Sequence, residues 1–229
     1  MAVLDNPFWC ALTTEQASFA RESGDLRWFP ADVAPFCAIE RAKQPLDAAV
    51  LDAALGGCGK RYFAGMLPVL PAGFHAAGRP ITLLQMACTA IPDPGPHAST
   101  LLDLGADDAA AMSALTGLVF PGFFRPRTHE LGRYVGIVRG RELVAMGGER
   151  LAIPGYREVS AICTHPAHRG HGYARVIVRH LAGRILAEGR VPFLHVRDTN
   201  TPARRLYEDA DFRIVNRIPL LAVDRESDA

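Results

Sequence analysis

Apolar positions recur every three to four residues over Ala174, Ile177, Val178, Leu181, Ala182, Ile185 and Leu186, while Arg175, Arg179, Arg184 and Glu188 lie largely off that stripe. This predicts an amphipathic helix that stops at Gly189. Ahead of it, residues 157–164 alternate: Glu158, Ser160 and Ile162 fall on one face, Val159, Ala161 and Cys163 on the other. The alternation predicts a central strand with one charged residue turned inward, ended by Pro166. After the helix, Phe193-Leu194-His195-Val196 reads as a second strand. Two strands joined through such a helix are expected to be parallel, with a right-handed crossover.

Further along, Asn200, Thr201 and Pro202 open a helix whose inner face carries Ala203, Leu206, Tyr207 and Ala210. Residues 212–218 and 220–223 predict a closing strand pair, with Pro219 at a bulge or an edge. Upstream, residues 134–138 and 143–148 predict a hairpin around Arg139-Gly140-Arg141, and residues 106–118 a helix opened by Asp107 and Asp108. The aromatic loop from Pro121 to Pro126 reads either as a packed turn or as the wall of a substrate pocket. In the first part, a helix over residues 15–20 capped by Thr13 or Thr14, a helix over 46–55, and strands over 26–29, 61–66 and 81–88 alternate. Pro92, Pro94, Gly95 and Pro96 then interrupt any regular element, placing a linker at 91–99. Two units follow: an N-terminal α/β subdomain over 1–97 and a second over 98–229.

Composition narrows the function. The chain has 229 residues, 49% of them apolar, enough for a real core. With 25 basic against 24 acidic residues the net charge is +1, which favours neither nucleic acid nor an anionic membrane and suits a small or neutral partner. No apolar run reaches the roughly 20 residues that span a bilayer. The first nine residues, with Asp5 and Pro7, do not resemble a leader, so a cytoplasmic location is expected. The five cysteines stand singly and suggest reduced, buried side chains rather than a zinc site.

Between the strand and the long helix lies Arg169-Gly170-His171-Gly172-Tyr173-Ala174. Glycines at a helix start let an anion approach the backbone, where free amides and the helix dipole meet it, so the run is a candidate phosphate cradle as well as an ordinary turn. Arg169, Gly172 and Ala174 resemble, in register, the phosphate-binding pattern of the GNAT superfamily of acyl-CoA-dependent N-acyltransferases. That family's later motif is matched by Asn200, Ala203, Leu206-Tyr207 and Phe212, with Asp211 standing where the family usually has glycine. The similarity covers about residues 121–223 and is closest to the glycine N-acyltransferase-like branch.

The resemblance implies an α/β (α+β) fold, a mixed twisted sheet flanked by helices, with the N-terminal subdomain either a degenerate copy of the same fold or a lid or extension completing the acceptor pocket. It implies acetyl-CoA as co-substrate and no metal: pantetheine along Ile162, Cys163 and Thr164, pyrophosphate on Arg169 to Ala174, and contacts from Asn200 and Ala203. A primary amine of a small molecule or amino acid would attack the thioester directly, with Glu158 as base and Tyr207 as acid. A non-catalytic acyl-CoA sensor, or an acetyltransferase of protein N-termini or lysines, are the alternatives, and a homodimer is possible. Each residue also has a plainer reading. Glu158 pairs with an arginine at the strand end, Tyr207 anchors its helix, and Asn200 caps one. His165, His168 and His171 suit a phosphate loop better than a metal, and Cys163 is structural rather than nucleophilic. Arg169, Arg175, Arg204 and Arg205 either reach phosphates or are solvated.

Overall fold

A computed structural model describes residues 3–42, 44–57, 59–90 and 101–226; the expected linker at 91–99 and the boundary at 97 lie outside them. The first part contains α1 (Pro7–Thr13), β1 (Arg21–Ser23), β2 (Leu26–Trp28), β3 (Phe36–Ile39), α2 (Ala48–Leu55), β4 (Arg61–Ala64), β5 (Phe74–Ala76) and β6 (Ile81–Ala87). The second contains β7 (Leu102–Leu104), α3 (Ala109–Val119), β8 (Tyr134–Arg139), β9 (Glu142–Ile153), β10 (Tyr156–Thr164), α4 (Tyr173–Ala187), β11 (Val191–Arg197), α5 (Thr201–Glu208) and β12 (Arg213–Arg225).

All these strands share one mixed sheet, ordered β1-β2-β3-β4-β12-β6-β11-β10-β9-β8-β7, with β5 paired to β12 off that path. The order has an internal symmetry. In the first part β1, β2 and β3 are antiparallel neighbours, and β3 pairs parallel with β4 across α2. In the second, β8, β9 and β10 are antiparallel neighbours, and β10 pairs parallel with β11 across α4. The last strand of each part crosses over: β6 pairs antiparallel with β11, and β12 with β4, while β6 and β12 pair with each other at the centre. The two units drawn from the sequence are thus joined by backbone hydrogen bonds through the middle of the sheet.

Helices cover both faces. The apolar stripe of α4 (Ile177, Val178, Leu181, Ala182, Ile185) packs with Val135, Val144, Val159, Leu194 and Phe212 in one core. On the other side α1 buries Phe8, Ala11 and Leu12 with Phe36, Leu151, Phe193 and Leu220, and α3 sets Met112 and Leu115 against Tyr134, Met146 and Cys163. Burying a side chain such as Ile177 or Phe193 contributes about 1.5–3 kcal/mol, so the stripe that predicts α4 also holds it in place.

Three expectations change. The first helix lies before Thr13 and Thr14, not after them: Pro7 starts it, and the two hydroxyls donate back to Trp9 O and Cys10 O, 2.8 and 2.6 Å away, at its end. Residues 17–19 form only a single 3-10 turn. β12 is one continuous inner strand in which Pro219 pairs opposite Thr82, and the register shift falls at Ile214/Asn216 instead. The alternation along β10 also fails beyond Ser160, for a reason that belongs to the site. Asp211, the departure from the family motif, has φ of +65°, the left-handed conformation that glycine adopts most easily and that aspartate tolerates better than most residues.

Candidate active site

β10 and β11 are paired only from Tyr156↔Val191 to Glu158↔Phe193, and beyond that point they part. Just past it, a register shift in the β10–β9 ladder leaves Ala161 and Ile162 opposite Gly147 alone, a bulge in which Ala161 takes φ of +55°. A non-glycine residue in that region carries about 1–3 kcal/mol of strain. The bulge turns Ile162 away from the Glu158 face and packs it beside Ile177 of α4; a Cβ on Gly147 would collide with Ile162 Cδ1. Ile162 was expected on the face of Glu158 and Ser160, and the extra residue is what reverses it.

The glycine loop follows. Gly170 and Gly172 have φ of +84° and +75°, and nothing lies within 4 Å of where a Cβ would stand on either. Gly172 is the N-cap of α4 with no side-chain cap, and the first amide taken up inside the helix is that of Val176, 3.2 Å from Gly172 O. The amides ahead of it open onto a groove of about 700 Å3. Every residue expected to hold the donor lines this one groove: Ile162–Thr164, Arg169–Ala174, Asn200 and Ala203. The residues fit a pyrophosphate, because the amides at the start of α4 have no side-chain cap, the helix dipole there favours an anion and no Cβ obstructs the approach.

Side chains around the loop divide by role. His171 Nδ1 lies 3.1 and 3.0 Å from His168 O and Arg169 O, so it braces the loop, and His165 Nδ1 accepts from Ala167 N at 3.2 Å. Among the described residues no group of three or more His, Cys, Asp or Glu side chains is gathered to hold a metal ion. Arg175 is engaged by Asp209 at 2.9 Å, and Arg204 lies 3.8 Å from Glu208. Asn200 Oδ1 accepts from Ala203 N at 3.2 Å and therefore caps α5 while also lining the groove. Burial pushes the Cys163 thiol up to about 12, far from the thiolate a nucleophile needs.

On the opposite face, a second shift in the β9–β10 ladder sets Arg150 and Leu151 opposite Glu158. The Arg150 guanidinium grips Glu158 from Nε and Nη2 at 2.8 and 2.6 Å, the amide of Leu151 donates to it at 3.3 Å, and His195 Nδ1 lies 2.6 Å from its other oxygen. Glu158 is only 1% exposed. Burial alone raises a carboxyl group, but Arg150 and His195 override it and hold Glu158 at about 2. The plainer reading of Glu158 as an arginine partner is met by Arg150, while Arg157 goes to Glu149, 3.5 Å away. His195 was not singled out from the sequence. It lies between Glu158 and Gln85, whose Nε2 is 3.0 Å from His195 Nε2. His195 thus bridges the two, Nδ1 facing the Glu158 carboxylate and Nε2 the Gln85 amide. The Gln85 Oε1 is buried without a hydrogen-bond partner among the described residues.

Arg150 and His195 of this cluster line a second cavity, of about 220 Å3, whose apolar lining includes Phe8, Phe36, Phe120 and Phe123. Phe8 stacks on Phe36 at 4.2 Å, and the Arg150 guanidinium lies over both rings at 5.3 and 4.8 Å. The aromatic loop splits its duties: Phe123 packs against Tyr62, 4.7 Å away, and faces the cavity, whereas Phe124 turns into the core against Tyr134. The groove and the cavity meet, sharing Ile162 and Tyr207. Burial, reinforced by the charge of Glu158, raises the Tyr207 phenol to about 12, so at neutral pH it keeps its proton.

Comparison with known proteins places these features in context. No curated protein sequence matches the chain significantly. The FR47-like protein family matches residues 134–218. A structure from Novosphingobium aromaticivorans DSM 12444, described as an acetyltransferase of the GNAT family, is 31% identical with a TM-score of 0.88, over 99% of this chain and 100% of that one. A GCN5-related N-acetyltransferase from Kribbella flavida shares the fold at 16% identity and a TM-score of 0.57, over 91% and 90% of the two chains. So does a tandem GNAT protein from the clavulanic acid biosynthesis pathway, at 14% identity and a TM-score of 0.53, over 89% and 79%. With its matching fold, parted strands and glycine loop, the chain belongs to the GNAT family of acetyltransferases.

Proposed function

We propose that the protein transfers an acetyl group from acetyl-CoA to the primary amine of a small molecule. The observation that carries this is the junction of the two cavities at Ile162 and Tyr207, beside the bulge where β10 and β11 part. Acetyl-CoA in the groove, its pyrophosphate on the amides of residues 170–175 and its pantetheine along Ile162–Thr164, supplies the thioester at that junction. The amine enters from the aromatic cavity and forms the C–N bond as the C–S bond breaks. Tyr207, protonated at neutral pH, gives or shares its proton with the departing sulfur. The Gln85 amide turns first, withdrawing its N–H from His195 Nε2 and presenting its Oε1 in its place; Nε2 then accepts the proton the amine loses, and the new N–H donates to that Oε1. Glu158, expected as the base, acts through His195: four donors and a value of about 2 leave it little basicity of its own, so it fixes the ring and its tautomer.

Residues 1–97 serve the acceptor side in this reading, since Phe8, Phe36 and Leu83 line the cavity. The repeated strand order supports a degenerate copy of the acyltransferase fold. Its helix α2 is capped by its own Asp47, which accepts from Val50 N at 3.0 Å where α4 has bare Gly172, and the adjoining cavity is about 160 Å3. A carboxylate already occupying those amides repels phosphate. Isothermal titration with acetyl-CoA, followed by thiol release over a panel of amines, tests the reading. Binding of one equivalent with turnover is expected. No binding at high micromolar acetyl-CoA refutes it, and binding without turnover of any amine makes the protein a sensor instead.

A further inference from the structure

β11 presents Phe193, His195 and Arg197 at alternate positions, so all three project from the face that carries Glu158. The first two are committed, Phe193 to the core and His195 to Glu158 and Gln85. Arg197 is exposed, lines the aromatic cavity, and has no carboxylate partner among the described residues. The other charges at this wall cancel, because Arg150 is held by Glu158. Among the described residues no acidic side chain lines the cavity, so its surplus charge is positive. The rings do not form a cage for a cation either. Arg150 already lies over the faces of Phe8 and Phe36, and a second cation there would be repelled by it. What remains is a guanidinium fork beside a flat apolar wall.

We infer that the acceptor is an amine that also bears a carboxylate and a planar or apolar body, with the carboxylate held by Arg197 and the body on Phe8, Phe36 and Phe123. This rests on the acetyltransferase reading above. It excludes polyamines and lysine side chains within peptides, which bring positive charge or a polar chain to a cationic, aromatic wall. The amino group, a few bonds from the anchored carboxylate, is then directed toward Ile162 and Tyr207, where the cavity opens to the groove.

Matched substrates test the inference in the full chain: phenylalanine, tryptophan and leucine against phenethylamine, tryptamine and isoamylamine, with spermidine and a lysine-containing peptide alongside. Thiol release from acetyl-CoA gives kcat/KM for each, and titration gives the acetyl-CoA Kd. The carboxylated member of at least one pair is expected to exceed its decarboxylated partner by tenfold or more. Arg197→Gln should raise its KM at least tenfold and erase that preference while the acetyl-CoA Kd stays within twofold, and Arg197→Lys should recover part of it. Equal or better turnover of the decarboxylated amines, of spermidine or of the peptide overturns the inference and leaves the acetyltransferase reading standing. Acetyl-CoA binding with no turnover of any carboxylated amine overturns it as well, as does an Arg197→Gln enzyme that keeps the preference. Failure to bind acetyl-CoA removes the reading on which it rests.

Discussion

Replacing Glu158 by glutamine keeps its shape and removes its charge, which leaves the Arg150 guanidinium, 14% exposed, without a counter-ion between β9 and the aromatic wall. Breaking a buried ion pair from one side costs about 3–5 kcal/mol, because the remaining charge is desolvated and unpaired. For a chain of this length each kcal/mol lowers the melting temperature by about 2–4 °C, so Glu158→Gln should melt roughly 6–20 °C below the parent. The pH dependence gives a second reading of the same interaction. Glu158 moves from an ordinary 4.5 to about 2 on folding, so its contribution is fully present above about 4.5 and is lost as pH falls toward 2. That displacement corresponds to about 3 kcal/mol, and this part of the acid-induced loss should vanish in Glu158→Gln. Urea unfolding between pH 7 and pH 3, followed by tryptophan fluorescence, measures both effects. Adding Arg150→Met to Glu158→Gln should recover most of the loss at pH 7, since an apolar side chain needs no counter-ion. A single variant costing less than about 1 kcal/mol, or a double variant no more stable than the single one, would refute the reasoning.

Tyr207→Phe should lower kcat by about 100- to 10,000-fold with the acetyl-CoA Kd nearly unchanged, the range that loss of one general acid produces; an equal kcat excludes the role. Gly172→Val places a β-branched residue at φ of +75° on the groove, so acetyl-CoA should bind at least tenfold more weakly by titration, with an unchanged Kd as the contrary result. Burial holds the Cys163 thiol near 12, so iodoacetamide at pH 8 should leave it unmodified in the native protein and alkylate it in urea, as mass spectrometry would show. Rapid native alkylation contradicts its burial. Phe8→Ala, which removes a ring from both the α1 core and the cavity wall, should cost about 3–5 kcal/mol and raise the acceptor KM; a destabilised enzyme with an unaltered KM would take Phe8 out of the acceptor site.

The second half of the fold was legible in the sequence because its elements are long and locally consistent. The stripe of α4, the alternation of β10 and the loop between them each fix a neighbour, and together they bring every expected donor contact into one groove. Asn200, read as a cap or a contact, is a cap at the groove wall. Local pattern was less informative where tertiary pairing decides. β3 has four residues and β1 three, too short for periodicity to register, and the helix lies before Thr13 rather than after it, while Gln16 reaches Arg150 O at 2.7 Å across the fold. The Glu158, Arg150 and His195 cluster joins residues on three strands, with a register shift between β9 and β10 setting Arg150 opposite Glu158, and no sequence spacing encodes that. One signal was available: His195 is a polar residue between apolar neighbours in β11, as Gln85 is in β6, and the structure pairs the two.

A crystal structure of the protein with acetyl-CoA bound tests the central claim most directly. The account predicts the pyrophosphate on the amides of residues 170–175 and the thioester sulfur within about 3.5 Å of the Tyr207 hydroxyl, with the acetyl group facing the Phe8 and Phe36 cavity. Acetyl-CoA bound elsewhere, or bound in the groove with its sulfur remote from Tyr207, would contradict it.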